Sequence, residues 1–191
     1  MSILGKIIKH LNGGLLTEKL VKKAHGIAFK GDRVKDKSDY LIYIGAGQAS
    51  SVTDFDKYGA SSFWVRRGKF TINATAANNS FTSCATMVDY SFTLSLVSVI
   101  KRDLLPCDSA DAVDEISEQI ISVLSGEKSP IVTEIPAQQI YVQATGYSDS
   151  FTGLVVPMEY AVSVIDFNIN VRINADCILP LCGSSEIESE G

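Results

Sequence analysis

Between Val88 and Leu96 the chain alternates without a break: Val88, Tyr90, Phe92, Leu94 and Leu96 against Asp89, Ser91, Thr93 and Ser95. A period of two suits a β-strand with one buried face, and it cannot be laid on a helix, where same-face neighbours lie three and four residues apart. The spacing predicts a strand over 86–100. A second long alternation opens at Pro157, with Met158, Tyr160, Val162 and Val164 on one phase. It then jumps to Ile165, Phe167, Ile169, Val171 and Ile173 on the other, against Asp166, Asn168, Asn170 and Arg172. A one-residue slip within a strand predicts a β-bulge between Val164 and Ile165. At about 3.3 Å per residue this strand spans roughly 55 Å, longer than a compact domain is wide. Two strands of this length dominate whatever fold the chain adopts.

Between them, Val113, Ile116, Ile120 and Val123/Leu124 recur at helical spacing. They predict a helix over 109–125, with Asp108 or Ser109 as cap, acidic residues in its first half and Gly126 at its end. Tyr40–Ile44 reads as a buried strand. Ser62–Ala74 reads as another, broken at Gly68 by a bulge or turn. Further strands are expected at Ile131–Ile135 and Ile140–Ala144, followed by a turn-rich loop from Gly146 to Gly153. At the N-terminus Ile3, Leu4, Ile7, Ile8 and Leu11 form an apolar stripe on a short helix over 2–11, stopped by Gly13-Gly14. Leu15, Leu16, Leu20 and Val21 restart a helical pattern that Gly26 ends, and a short strand is expected at Ile27–Phe29. The fold class is α+β: a twisted, mostly antiparallel sheet with long strands, packed by one amphipathic helix, with an N-terminal helical arm.

Charge divides the chain. Residues 1–37 hold nine Lys or Arg against three acidic residues, while the rest holds eight against nineteen. The sequence therefore reads as a basic helical arm (1–37), an α+β core domain (38–176) and a polar tail (177–191). A basic arm suits an acidic partner surface, another copy of the chain or nucleic acid. No apolar run approaches the about 20 residues of a spanning helix, and Lys6 and Lys9 interrupt the start where a signal core would lie. Cys84, Cys107, Cys177 and Cys182 contain no Cys-x-x-Cys pair, and they read as reduced and metal-free.

Catalytic motifs are sparse. Gly45-Ala-Gly47 follows a strand, but it lacks the third glycine and the helix that would hold a dinucleotide's phosphates. His10 and His25 are the two histidines; both lie in the basic segment, with no partner at a ligand or general-base spacing. Asp54-Phe-Asp56 is an isolated acidic pair. Neither cofactor nor metal is expected. Trp64-Val-Arg-Arg-Gly-Lys-Phe70 mixes aromatic and cationic residues, but sequence-specific nucleic-acid recognition is not expected from it in an acidic domain. Its Trp64, Arg66 and Arg67 read as an interface strand.

The order of elements over 40–174 resembles the tail-terminator and head–tail connector proteins of tailed bacteriophages. The segments that carry the resemblance are Val88–Leu96, Lys101-Arg-Asp103 and the helix with Asp114-Glu115-Ile116 and Ile120-Ile121. The 46–60 loop, the basic arm and the extended last strand exceed a minimal member. The resemblance implies a non-enzymatic ring subunit of a virion, assembled in the host cytoplasm. Its partners would be copies of itself and portal, connector or tail proteins. The interface would be Ile3, Leu4, Ile7, Ile8, Leu11, Trp64, Arg66 and Arg67, and no membrane would be involved. The alternatives are a small-molecule or carbohydrate-binding β-rich module using Trp64, Tyr58 and Tyr147, or an enzyme with an unrecognised site.

Overall fold

The computed structural model describes residues 2–30, 40–45, 48–51, 59–76, 86–105, 111–125, 137–151 and 156–174. Helix α1 (Ile3–Thr17) leads into β1 (Lys23–Lys30), β2 (Tyr40–Gly45) and β3 (Gln48–Ser51). After these come β4 (Ala60–Arg66), β5 (Thr71–Ala76) and β6 (Thr86–Lys101), then a short 3-10 turn (Arg102–Leu104). Helix α2 (Ala112–Leu124), β7 (Ala137–Ser148) and β8 (Tyr160–Asn174) complete the fold. The eight strands form one sheet in the order β3-β2-β1-β4-β6-β8-β7, with β5 also paired to β6. Every pairing is antiparallel except β1 with β4. The α+β class and the long antiparallel strands are as the alternation predicts.

At the centre, β6 and β8 pair from Met87↔Asn174 to Lys101↔Tyr160 without a register shift. The bulge expected between Val164 and Ile165 is therefore absent from this ladder. Instead β7 absorbs the irregularity, with shifts between Ala137 and Gln139 and between Ala144 and Gly146. The jump in phase has another cause. Val162 and Val164 on β8, with Val97 and Val99 on β6, are buried in a cluster with Ala28, Phe63, Val65, Phe151 and Tyr160. Ile165, Phe167, Ile169, Val171 and Ile173 lie on the other face, in the main core beneath the helices. The half of the sheet near β1–β4 thus buries both faces, and the other half, hereafter the distal half, buries one. A change in which faces are covered reproduces the pattern of a bulge without one.

The expected break at Gly68 is present. Strand β4 pairs Ala60–Arg66 with Ile100–Leu94 of β6, and β5 resumes at Thr71↔Ser91. Four residues, Arg67 to Phe70, thus face two of β6, and Gly68 takes φ +73° to make the detour.

Helix α2 lies within its predicted span, and Ile116, Ile120 and Leu124 are buried. It starts at Ala112 with Asp111 at its N-cap position, later than expected from Asp108 or Ser109; those two lie outside the described residues, as do Ile131–Ile135, the last two residues of Gly45-Ala-Gly47, Asp54, Asp56, Tyr58, all four cysteines and the tail. The Ser117 hydroxyl of α2 is bonded to that of Ser163 on β8 at 2.6 Å, and Ser163 stands in a row of serines that continues across the sheet through Ser98 on β6 to Ser62 on β4.

The N-terminal segment differs most from expectation. A single helix runs through Gly13-Gly14, capped by the Ser2 hydroxyl, which accepts from the Gly5 N–H at 3.1 Å. Two glycines in a helix interior cost about 1 kcal/mol each relative to alanine, so packing must offset them. The stripe supplies the offset by continuing past them: Leu11 and Leu15, on either side of the glycines, are both fully buried. The helix expected after residue 15 ends at Thr17, and residues 23–30 become β1, longer than the strand expected at Ile27–Phe29. Leu4, Ile7, Ile8 and Leu11 are buried in the main core with Ile3 packed against it. The stripe is docked on the chain's own sheet, so residues 3–17 belong to the core and are not a detached arm. Asn12 completes the seam, its amide donating to the His25 carbonyl at 2.9 Å while its oxygen accepts from the Trp64 indole N–H at 2.8 Å.

Two outcomes follow from this packing. Leu11→Ala should lower unfolding free energy by about 2–5 kcal/mol, read from chemical denaturation. Deleting residues 1–13 should abolish the cooperative unfolding transition, since it strips the core of most of α1.

Candidate interaction surface

The predicted interface residues separate in the structure. Trp64 is fully buried, its ring 5.9 Å from Phe167. It serves neither an interface nor a carbohydrate platform. Arg66 and Arg67 are exposed where β4 ends and are engaged by their own chain. The Arg66 guanidinium lies 5.7 Å over the Phe70 ring and that of Arg67 lies 5.4 Å over Phe151. Of the loop aromatics, Tyr147 is exposed. Among the described residues no group of three or more His, Cys, Asp or Glu is placed to hold a metal ion. No helix is long and apolar enough to cross a membrane.

What the structure brings together instead is the polar phase of the two long strands. Because β6 and β8 share one unshifted register, each polar residue of one stands opposite a polar residue of the other. The Ser95 hydroxyl donates to Asp166 and accepts from Arg67 Nε at 2.6 Å. Thr93 donates to Asn168 Oδ1 at 3.1 Å, and Ser91 donates to Asn170 Oδ1. At the far end Arg172 grips Asp89 with two bonds, of 2.7 and 2.9 Å. Three directly opposed rungs thus cross the distal half on its uncovered face, and the Ser95–Asp166 rung, with Ser95 buried opposite Val65 of β4, stands where the cover begins. The guanidinium of Arg172 holds the Asp89 carboxyl below its ordinary range, and Asp89 in turn raises Arg172. Tyr141 and Gln143 on β7, with Thr71 and Asn73 on β5, extend this face outward and are exposed. Tyr141, Asn73, Asp89, Ser91, Asn170 and Arg172 border a shallow depression of about 370 Å³.

The distal half is also open at its sides. There the sheet is a four-stranded ribbon, β5-β6-β8-β7, and no described residue pairs with the outer edge of β5 or of β7. One row crosses it from Thr71 through Ser91 and Asn170 to Tyr141; the next outward crosses from Asn73 through Asp89 and Arg172 to Gln139. The two free edges therefore stand at the same level. On the other face the Phe70 ring lies 6.0 Å from that of Phe92, tilted by 30°, and both Phe70 and Ile72 remain about half exposed at the β5 rim.

Sequence reasoning had these polar residues in hand as the off-phase of each alternation. It lacked the pairing register that makes rungs of them, and the matched length of the two polar runs was the available signal. Compared with known proteins, the chain matches no family model and no curated relative.

The Asp89–Arg172 pair is testable through pH. A carboxyl held low in the folded state contributes stability that is complete above its ordinary pKa of 3.8 and is lost as the pH falls through the lowered value. Arg172→Gln should melt slightly below the parent at pH 7, and the gap should close in acid. A gap that persists unchanged well below pH 3.8 would assign it to packing.

Proposed function

We propose that this chain is a non-enzymatic structural subunit that assembles with copies of itself into a ring at the head–tail junction or tail end of a bacteriophage particle, in contact with portal, connector or tail proteins. The observation that carries self-assembly is the composition of the outer edges of β5 and β7, with which no described residue pairs. Neither the six residues of β5 nor the twelve of β7 include a charge or a proline, in a chain of which 20% of residues are charged. A free strand edge offers unpaired N–H and C=O groups to any passing strand, and monomeric proteins guard such edges with lysine, proline or bulges. Here β7 has bulges and β5 has none of these guards. An unguarded edge fits a strand whose partner is another chain. The position in a phage neck or tail rests on the resemblance in element order alone.

Native mass spectrometry and negative-stain microscopy of the full chain test the reading. The expected result is a single defined multimer with a closed outline, and labelling with an antibody at one level of the phage tail or neck. A monomer at every concentration up to the millimolar range would refute it.

A further inference from the structure

We infer that the rung-bearing face of the distal half is a binding site for a neutral oligosaccharide, centred on the depression between Tyr141 and Asn73. This goes beyond the assembly reading and does not rest on it, since strand edges can pair between copies and leave a sheet face open.

Charge is the first support. From Thr93 outward, the described side chains that β5, β6, β7 and β8 set on this face are hydroxyls, amides, one phenol, and a single carboxylate and guanidinium that neutralise each other. A nucleic acid or an acidic glycan is held by cations left free for it, and the one cation among these side chains is already engaged by Asp89. A protein partner anchors on an aromatic or aliphatic cluster at the centre of a patch. The centre of this face is Ser91, Asn170 and the Asp89–Arg172 pair instead. The ligand that suits it is uncharged and rich in hydroxyls.

Unused hydrogen-bonding capacity is the second support. Each rung takes up only part of what its residues offer. Ser91 and Thr93 donate to the Oδ1 atoms of Asn170 and Asn168, so neither amide nitrogen has a described partner. Arg172 reaches Asp89 through Nε and Nη2, which leaves Nη1. Among the described residues nothing bonds to the side chains of Asn73, Gln143 or Tyr141, and all three are exposed. Sugar hydroxyls both donate and accept, and adjacent hydroxyls suit a carboxylate set beside a guanidinium or an amide. The rungs fix Asn170 and Arg172 before a ligand arrives, so little ordering entropy is lost on binding.

Shape is the third support. Asn73 lies on β5 and Tyr141 on β7, so the depression of about 370 Å³ crosses all four strands of the ribbon. At about 4.8 Å between strands that is roughly 14 Å, room for an oligosaccharide laid across the sheet. The Tyr141 ring, 46% exposed at one rim, offers the C–H face of a pyranose a flat apolar surface while its hydroxyl stays available for a hydrogen bond.

A glycan array tests the site with the full chain. The array carries neutral cellopentaose, maltopentaose, mannopentaose and N-acetylchitopentaose beside sialylated and sulfated glycans. The chain should bind at least one neutral glycan and prefer it to the acidic ones. Calorimetric titration with the best neutral glycan then locates the site. Tyr141→Ala should weaken binding at least about tenfold, whereas Tyr141→Phe, which keeps the ring, should retain most of it. Asn73→Ala, at an exposed position, should also weaken binding while melting like the parent. Raised salt should leave the affinity of the parent unchanged, because no net charge meets the ligand. Binding to no neutral glycan would overturn the proposal, and so would a preference for acidic ones. A neutral glycan held equally well by the parent, Tyr141→Ala and Asn73→Ala would place binding elsewhere and overturn it too. None of these outcomes bears on self-assembly, which native mass reads separately.

Discussion

The unshifted pairing of β6 with β8 is the constraint on which the rest depends. It fixes, for both strands at once, which residues look toward the helices and which look away. Beneath the helices that register gathers Leu94, Leu96, Ile165, Phe167 and Ile169 into one core. On the opposite face it does two different things along its length. Near β1–β4 it sets Val97 and Val99 against Val164 and Val162. Farther out it sets hydroxyls and carboxylates against amides and a guanidinium. A slip of β8 by one residue would turn Asn168, Asn170 and Arg172 into the core and Phe167, Ile169 and Val171 out of it.

The helices depend on this frame differently. For α2, the Ser117–Ser163 hydroxyl bond ties the helix to β8. For α1, the seam is held by Asn12, which satisfies an indole N–H on β4 and a carbonyl on β1 at once. Buried polar groups of this kind are costly when unpaired, so a single amide fixes where α1 sits relative to two strands.

Much of this was legible in the sequence where periodicity was long and unambiguous. The span of β6, the apolar stripe of α2 and the interruption at Gly68 follow from alternation, helical spacing and a glycine between two apolar runs. Elsewhere tertiary contacts overrode local signals. Gly13-Gly14 reads as a stop, yet the helix continues because Leu15, beyond the glycines, is fully buried in the same core as Leu11. Gly146 reads as the start of a loop, yet β7 runs through it to Ser148 with an irregularity. The slip at Val164–Ile165 was a true signal with the wrong cause, because a sheet whose second face is covered along half its length gives the same pattern as a bulge. The interaction surface was half legible: its residues were visible, but the pairing register is a relation between segments some 70 to 80 residues apart, which local periodicity does not contain.

That separation has a consequence for how the chain is made. Ser95 and Asp166, bonded partners in the ladder, lie 71 residues apart, and Asp89 and Arg172 lie 83 apart. During synthesis β4, β5 and β6 leave the ribosome well before β8 exists. At about 5–20 residues per second, the inner edge of β6 waits several seconds for its partner. Through that interval Leu94, Leu96, Val97 and Val99, apolar on both faces, front an unpaired edge. The nascent chain is most exposed to chaperone capture or mispairing then, and β8, the last described strand to emerge, ends the interval.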